Sequence, residues 1–216
     1  MVLSMLHYEE IAAAESGSDH WMLVLHGLGD SIEGYRWLPS ILNLPWLNYA
    51  LVNAPDDYFG GYSWYDIQGD AHTGIVRSRQ LLFELFDHFG SLGREPKKTF
   101  LFGFSQGCLM TWEIGMRYPQ PLAGCVGISG YLHQAETLRQ EACPEAQTRE
   151  FLVTHGSHDP LIPLAPVKAE VQTMQQKGIR VEWHEFAKEH TIAGHEEIDI
   201  IRQFVVKNRQ PAASTS

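Results

Sequence analysis

The segment that most constrains the fold of this chain lies at residues 99–110. An apolar run at 100–104 leads into the pentapeptide Gly-Phe-Ser-Gln-Gly at 103–107, and residues 108–118 then have helical character. The pattern predicts a strand, a sharp turn and a helix, with Ser105 at the apex. A glycine on either side of the serine leaves room for the strand and the helix to approach closely.

The rest of the chain alternates predicted strands and helices. Strands are predicted within 3–14 at a sheet edge, and at 21–25, 47–52, 122–128, 151–154 and 181–186. Helices are predicted at 70–89, 134–142, 164–178 and 196–206, with a short one within 35–44 that has Pro39 near its start. Residues 56–69 are predicted to form a long loop. This alternation predicts an α/β fold, a mostly parallel central sheet with helices on both faces.

Length and composition favour one domain. A chain of 216 residues with 44% hydrophobic content can bury one sizeable core, so we expect a single domain at 1–209 without a large separate lid. The small polar residues at 210–216 are expected to form a disordered tail.

Charge and cysteine content limit the kinds of partner and the cellular compartment that we expect for this chain. Lys and Arg number 16 against 26 Asp and Glu, a formal charge of -10, so nucleic acid and anionic membranes are poor partners. Three cysteines without a Cys-X-X-Cys spacing argue against a disulfide framework. No signal peptide pattern and no apolar run long enough to cross a bilayer is present. We therefore expect a cytoplasmic protein without integral membrane association.

A serine at such a turn can act as a nucleophile when a histidine takes its proton and a carboxylate orients that histidine. In an α/β-hydrolase the chain order is serine, acid, histidine. Asp159 follows a predicted strand and His195 precedes the last helix, so they are the expected acid and base. His190 is the main competitor for the base, whereas His155 and His158 lie too close to the acid position.

An acyl-transfer site also needs two N–H donors for a developing oxyanion. The residue after the nucleophile, Gln106, is expected to supply one. Leu28 is expected to supply the other, because it lies between glycines in the loop that follows the strand at 21–25. His26, which begins that loop, is expected to be structural.

Five motifs in this order resemble the phospholipase/carboxylesterase family, which includes the acyl-protein thioesterases. They are His-Gly-Leu-Gly-Asp at 26–30, Ser-Trp-Tyr-Asp-Ile at 63–67, the pentapeptide at 103–107, the segment 155–160 and Gly-His at 194–195. The resemblance implies an α/β-hydrolase with Ser105 as nucleophile, His195 as base, Asp159 as acid, and the amides of Leu28 and Gln106 as oxyanion donors. It further implies hydrolysis of carboxylic esters or thioesters without metal or organic cofactor. Trp64 falls in a motif near the family's acyl-binding groove, and a role as a core aromatic is an equal alternative.

The chain departs from the family's pattern in three places. Cys108 replaces a common glycine after the elbow, and segments 56–62 and 188–193 differ from the usual loops. These differences leave the substrate open: a small acyl ester or thioester, a lysophospholipid or an acylated protein. The alternative functions are a lysophospholipase or lipase acting on lipid assemblies, acyl transfer to another alcohol, and a non-catalytic ligand-binding protein with this fold.

Overall fold

The computed structural model describes residues 5–209, so the tail predicted at 210–216 lies outside the described residues. The described chain contains the strands β1 (Tyr8–Ile11), β2 (His20–Leu25), β3 (Leu47–Val52), β4 (Asp56–Tyr58), β5 (Gly61–Ser63), β6 (Thr99–Phe104), β7 (Gly124–Ile128), β8 (Glu150–Gly156) and β9 (Arg180–Phe186). Its α-helices are α1 (Leu38–Leu42), α2 (Ala71–Ser91), α3 (Gln106–Arg117), α4 (Ala135–Gln140), α5 (Leu164–Gln176) and α6 (His195–Lys207).

Seven strands form the central sheet in the order β1-β3-β2-β6-β7-β8-β9. β1 pairs antiparallel with β3, and the other neighbours in this sheet are parallel. The predicted mostly parallel sheet and its edge strand are confirmed. In such a sheet, the loops after the parallel strands meet at one edge, and here they carry Leu28, Ser105, Asp159 and His190.

The core lies on both faces of this sheet. Along β2, Leu23 and Leu25 belong to one hydrophobic cluster, and Met22 and Val24 belong to the other. Helices α2, α3 and α5 cover the first face, while α1 and α6 cover the second. A strand that is covered on both faces needs apolar side chains at every position, which explains the uninterrupted apolar run at 21–25.

The segment 56–69 is not wholly a loop as predicted, because β4 and β5 form a hairpin within it. Phe59 and Gly60 connect the two strands with φ of 45° and 92°. Tight hairpin turns favour positive φ, which Gly adopts easily and Phe adopts rarely. Phe at the first turn position therefore concealed the hairpin from sequence analysis.

Candidate active site

Ser105 occupies a strained turn between β6 and α3. Its φ of 54° and ψ of -114° lie outside the ordinary regions for a residue with a side chain. A Cβ at Gly103 would lie 2.1 Å from the carbonyl oxygen of Gly107, and one at Gly107 would lie 2.1 Å from that of Leu25. Only glycine fits at these two positions. The predicted strand, turn and helix are confirmed, with the serine at the apex.

Asp159 lies in the loop after β8, and its carboxylate is held from two sides. The amides of Leu161 and Ile162 each donate to its Oδ1 at 2.9 Å. His190 Nδ1 lies 2.7 Å from its Oδ2. Burial opposes ionisation of Asp159, but these hydrogen bonds outweigh it and hold the pKa of the carboxyl below its ordinary value.

His190 connects this carboxylate to the serine. Its Nε2 lies 2.9 Å from Ser105 Oγ, on the opposite side of the ring from Asp159. Ionised Asp159 can only accept, so Nδ1 carries the proton and Nε2 is left to accept from the serine hydroxyl. The ring also lies against Phe104, with the ring centroids 5.0 Å apart. The arrangement joins a hydroxyl, an imidazole and a carboxylate in one hydrogen-bonded line.

His195, which we expected to be the base, does not take part in this line. It is the first residue of α6 and is exposed, whereas His190 lies within the loop between β9 and α6. Both histidines satisfy the chain order and lie between the end of β9 and the first turn of α6, so the order of the motifs alone does not distinguish them. The last helix, predicted to begin at residue 196, begins at His195, and Glu196 and Glu197 lie in its first turn, where acidic residues are favoured.

The loop after β2 is fixed from beneath by His26, which is buried as expected of a structural residue. Its Nε2 accepts from the amide of Ala54 at 3.0 Å, so its Nδ1 carries the proton and donates to the carbonyl of Gly27 at 2.6 Å. In a trans peptide the C=O and the next N–H point in opposite directions. The Leu28 amide therefore points away from His26. Burial lowers the pKa of His26, which favours this neutral form.

The hairpin supports the same loop. Tyr62, in β5, accepts from the amide of Gly29 and donates to the carbonyl of Asp30, both at 2.9 Å. Trp64 follows β5, and its indole Nε1 donates to the carbonyl of His26 at 2.9 Å. The loop that carries Leu28 is thus bound by hydrogen bonds on both sides.

The side chain of Gln106 has a structural role that sequence analysis missed. Its Oε1 accepts from the amide of Trp64 at 2.9 Å and from Ser63 Oγ at 3.2 Å, and its Nε2 donates to the carbonyl of Tyr65 at 2.9 Å. Gln106 is also the first residue of α3, where backbone N–H groups have no acceptor within the helix. The same residue therefore joins the start of α3 to the segment after the hairpin.

Cys108 fits beneath the elbow because the neighbouring strand carries glycine. A Cβ at Gly127 in β7 would lie 2.7 Å from its Sγ, and one at Gly130 would lie 2.4 Å from its Cβ. Burial raises the pKa of the Cys108 thiol to about 12. It is a neutral packing group, and all three cysteines of the chain are free thiols.

A cavity of about 450 Å³ opens beside Ser105. Its walls are largely apolar and are formed by Gly27, Leu28, Asp30, Tyr65, Ile67, Phe104, Ser105, Gln106, Tyr131, Leu161, Ile162 and His190. Leu161 and Ile67 are exposed at 70% and 51%, so apolar surface continues to solvent. Trp64, for which substrate binding and a role as a core aromatic were equal expectations, is fully buried and lies outside this wall. The neighbouring residue Tyr65 forms part of the cavity wall.

Residues 5–209 contain neither a candidate metal site nor a candidate membrane span. Within this range, no group of three or more His, Cys, Asp or Glu side chains is placed to hold a metal ion. Over the same residues, no helix combines the length and apolar character that a transmembrane span requires.

The sheet, the turn at Ser105 and the position of the cavity define an α/β-hydrolase. A sequence model of phospholipases and carboxylesterases matches residues 6–209, so the chain belongs to the phospholipase/carboxylesterase family.

Individual relatives agree with this assignment. The chain is 31% identical to acyl-protein thioesterase 1 of Schizosaccharomyces pombe over 155 residues, 66% of this chain and 69% of that protein. It is 25% identical to acyl-protein thioesterase 1 of Gibberella zeae over 88% of this chain and 91% of that one. The crystal structure of esterase PE8 superimposes with a TM-score of 0.81 at 26% identity, covering 94% of this chain and 99% of that one. The protein is a carboxylesterase- or thioesterase-like hydrolase.

Proposed function

We propose that the protein hydrolyses carboxylic esters or thioesters through an acyl-enzyme on Ser105, with His190 as the base and Asp159 as its orienting acid. The proposal rests on the position of the His190 ring: its Nε2 lies 2.9 Å from Ser105 Oγ, and its Nδ1 lies 2.7 Å from Asp159 Oδ2. His190 takes the role that sequence analysis assigned to His195.

In the first half of the reaction, Ser105 Oγ attacks the acyl carbon while its proton moves to His190 Nε2. The C=O electrons move onto the oxygen, where the amides of Leu28 and Gln106 stabilise the negative charge. When the tetrahedral intermediate collapses, the bond to the leaving group breaks. The departing alcohol or thiol takes the proton from His190 Nε2.

In the second half, water attacks the acyl-enzyme. His190 Nε2 accepts a proton from the water, and the bond between the acyl carbon and Ser105 Oγ then breaks. The proton returns to the serine and the carboxylic acid leaves. Asp159 keeps the ring in the required tautomer and stabilises the transient imidazolium.

The cavity supports an acyl substrate with an apolar chain. Its largely apolar wall beside Ser105 suits a hydrocarbon group, and the exposed Leu161 and Ile67 extend that surface. Thioesters of acylated proteins and lysophospholipids both present such chains. Rates on p-nitrophenyl esters and acyl thioesters of increasing length, measured below and above micelle formation, distinguish a soluble-ester hydrolase from an enzyme of lipid assemblies.

Labelling with a fluorophosphonate tests the nucleophile. We expect covalent modification of Ser105 and matching loss of esterase activity, because the reagent needs an activated serine. The Ser105→Ala variant should remain unlabelled and lose activity about 10⁴-fold or more. Folded wild-type protein that binds an acyl ligand tightly but neither turns over nor reacts would instead indicate a non-catalytic binding protein.

A further inference from the structure

A buried polar cluster lies behind His190, outside the line of Ser105, His190 and Asp159. It consists of Lys188, Glu197 and Thr154, which are 6%, 0% and 0% exposed. Lys188 Nζ donates to Glu197 Oε1 at 2.5 Å, and Thr154 Oγ1 donates to the same oxygen. The other carboxylate oxygen of Glu197 accepts from the amide of Ala193.

Glu197 therefore holds the loop of His190 at both ends. Lys188 precedes the histidine by two residues and Ala193 follows it by three, while Glu197 itself belongs to α6. One carboxylate thus limits the movement of the segment that carries the base.

Lys188 also joins this loop to the loop of the acid. Its carbonyl accepts from the amide of His158 at 3.1 Å, next to Asp159 in sequence, and its amide donates to the carbonyl of Phe186 at 2.8 Å. The backbones approach so closely that a Cβ at Gly156, the end of β8, would lie 2.4 Å from the Lys188 carbonyl oxygen. Any displacement of Lys188 changes the relative position of base and acid.

The energetic balance favours a positional role over a purely stabilising one. Burying two opposite charges costs desolvation free energy that their attraction often only offsets, and apolar side chains of similar volume frequently stabilise a fold as well. Ion pairs in a hydrogen-bonded network instead impose a defined geometry. A loop that must hold an imidazole between two partners benefits from that geometry.

We propose that Lys188 and Glu197 are positioning residues that hold His190 in line between Ser105 and Asp159. The inference rests on the proposed function, since it gives His190 the role of base.

The test replaces the cluster by apolar side chains of similar size in the combined variant Thr154→Val, Lys188→Met, Glu197→Leu. We expect a folded protein with a melting temperature close to that of the wild type. Its kcat should fall about 100-fold, with KM changed by less than about threefold, because the loss is one of alignment rather than of substrate binding. The low-field proton resonance of the His190–Asp159 hydrogen bond should broaden or disappear.

Glu113→Gln provides the matched control. Glu113 is 1% exposed and accepts from Arg79 at 2.8 Å and Arg117 at 2.6 Å, on α3 away from the His190 loop. This variant should lose stability but keep the wild-type kcat and the low-field resonance.

A folded combined variant with wild-type kcat and an unchanged resonance would overturn the proposal. Should that variant fail to fold, Lys188→Met with Glu197→Gln removes both charges and keeps hydrogen-bonding groups for Thr154 and Ala193. A fall in kcat of about tenfold and a broadened resonance are then expected, and no change in either overturns the proposal.

If the wild type itself shows no turnover and no fluorophosphonate labelling, the proposed function fails. The resonance still reports whether the cluster positions His190.

Discussion

Two histidines five positions apart compete for one role, and their surroundings differ sharply. His190 contacts both Ser105 and Asp159, whereas His195 is exposed at the start of α6. We expect His190→Ala to lower kcat/KM about 10⁴-fold, because the serine loses its proton acceptor. His195→Ala serves as the matched control and should keep near-normal activity. The measurement is kcat/KM of both variants on a soluble ester. If His195→Ala loses activity and His190→Ala keeps it, His195 is the base.

Gln106 combines a backbone and a side-chain contribution. Truncation in Gln106→Ala keeps the backbone amide but removes three side-chain hydrogen bonds to the segment 63–65. We expect a loss of about 2–4 kcal/mol in the free energy of unfolding, since buried partners are left unsatisfied. Activity should fall about tenfold as the start of α3 shifts.

Urea unfolding and ester hydrolysis measure these two effects. Gln80→Ala, at an exposed glutamine that contacts Glu84 on α2, is the control and should change neither. Equal effects of the two substitutions would show that the side chain of Gln106 has no special role.

At the scale of elements, the elbow requires close packing of α3 on β7. Gly127→Ala would place a Cβ 2.7 Å from Cys108 Sγ, so we expect destabilisation of about 1–3 kcal/mol. In a Cys108→Ala background the sulfur is gone and the same substitution should cost much less. A double-mutant cycle by urea unfolding should give a coupling free energy of about 1 kcal/mol or more. Additive costs would mean that Cys108 does not restrict this position.

The hairpin β4–β5 is a second element with consequences for the site. It pairs with the loop that carries Leu28 through Tyr62, and Trp64 follows it. Trp64 contributes from within the core, by holding the carbonyl of His26, rather than from the cavity wall. The motif at 63–67 is therefore connected to the site through backbone positions.

Two buried histidines give the whole molecule an acid-sensitive stability. Burial lowers the pKa of both His26 and His155 from the ordinary value of 6.5. As the pH falls through 6.5, these histidines become protonated in the unfolded chain but stay largely neutral in the folded chain, so the unfolded state binds more protons. The contribution to stability is complete above about pH 6.5 and declines below it, by at most about 1.4 kcal/mol per pH unit for each histidine.

Urea unfolding at about pH 7.5 and about pH 5.5 measures this decline. The His155→Gln variant should depend less on pH than the wild type, because one of the two groups no longer titrates. A stability that stays constant or rises on acidification would contradict the expectation.

Local patterns were sufficient for much of the fold and part of the site. Local sequence predicted the secondary structure of three segments: the apolar run at 21–25, the glycine-flanked turn at Ser105 and the helix at 164–174. Burial of one or both faces imposes a periodicity on strands and helices that can be recognised in the sequence. The order of the motifs indicated Ser105 and Asp159, and these two residues do meet at one sheet edge.

Contacts between distant segments decided the rest. Which histidine reaches Ser105 depends on the path of the loop between β9 and α6, and Glu197, Thr154 and the acid loop hold that path from outside it. The burial of Trp64 and the hydrogen bonds of Gln106 likewise need partners that are distant in sequence. A sequence pattern by itself determined which elements form and in what order, because local packing demands repeat along the chain. Only the tertiary structure decided which side chains face the cavity, because that depends on contacts that no local periodicity records.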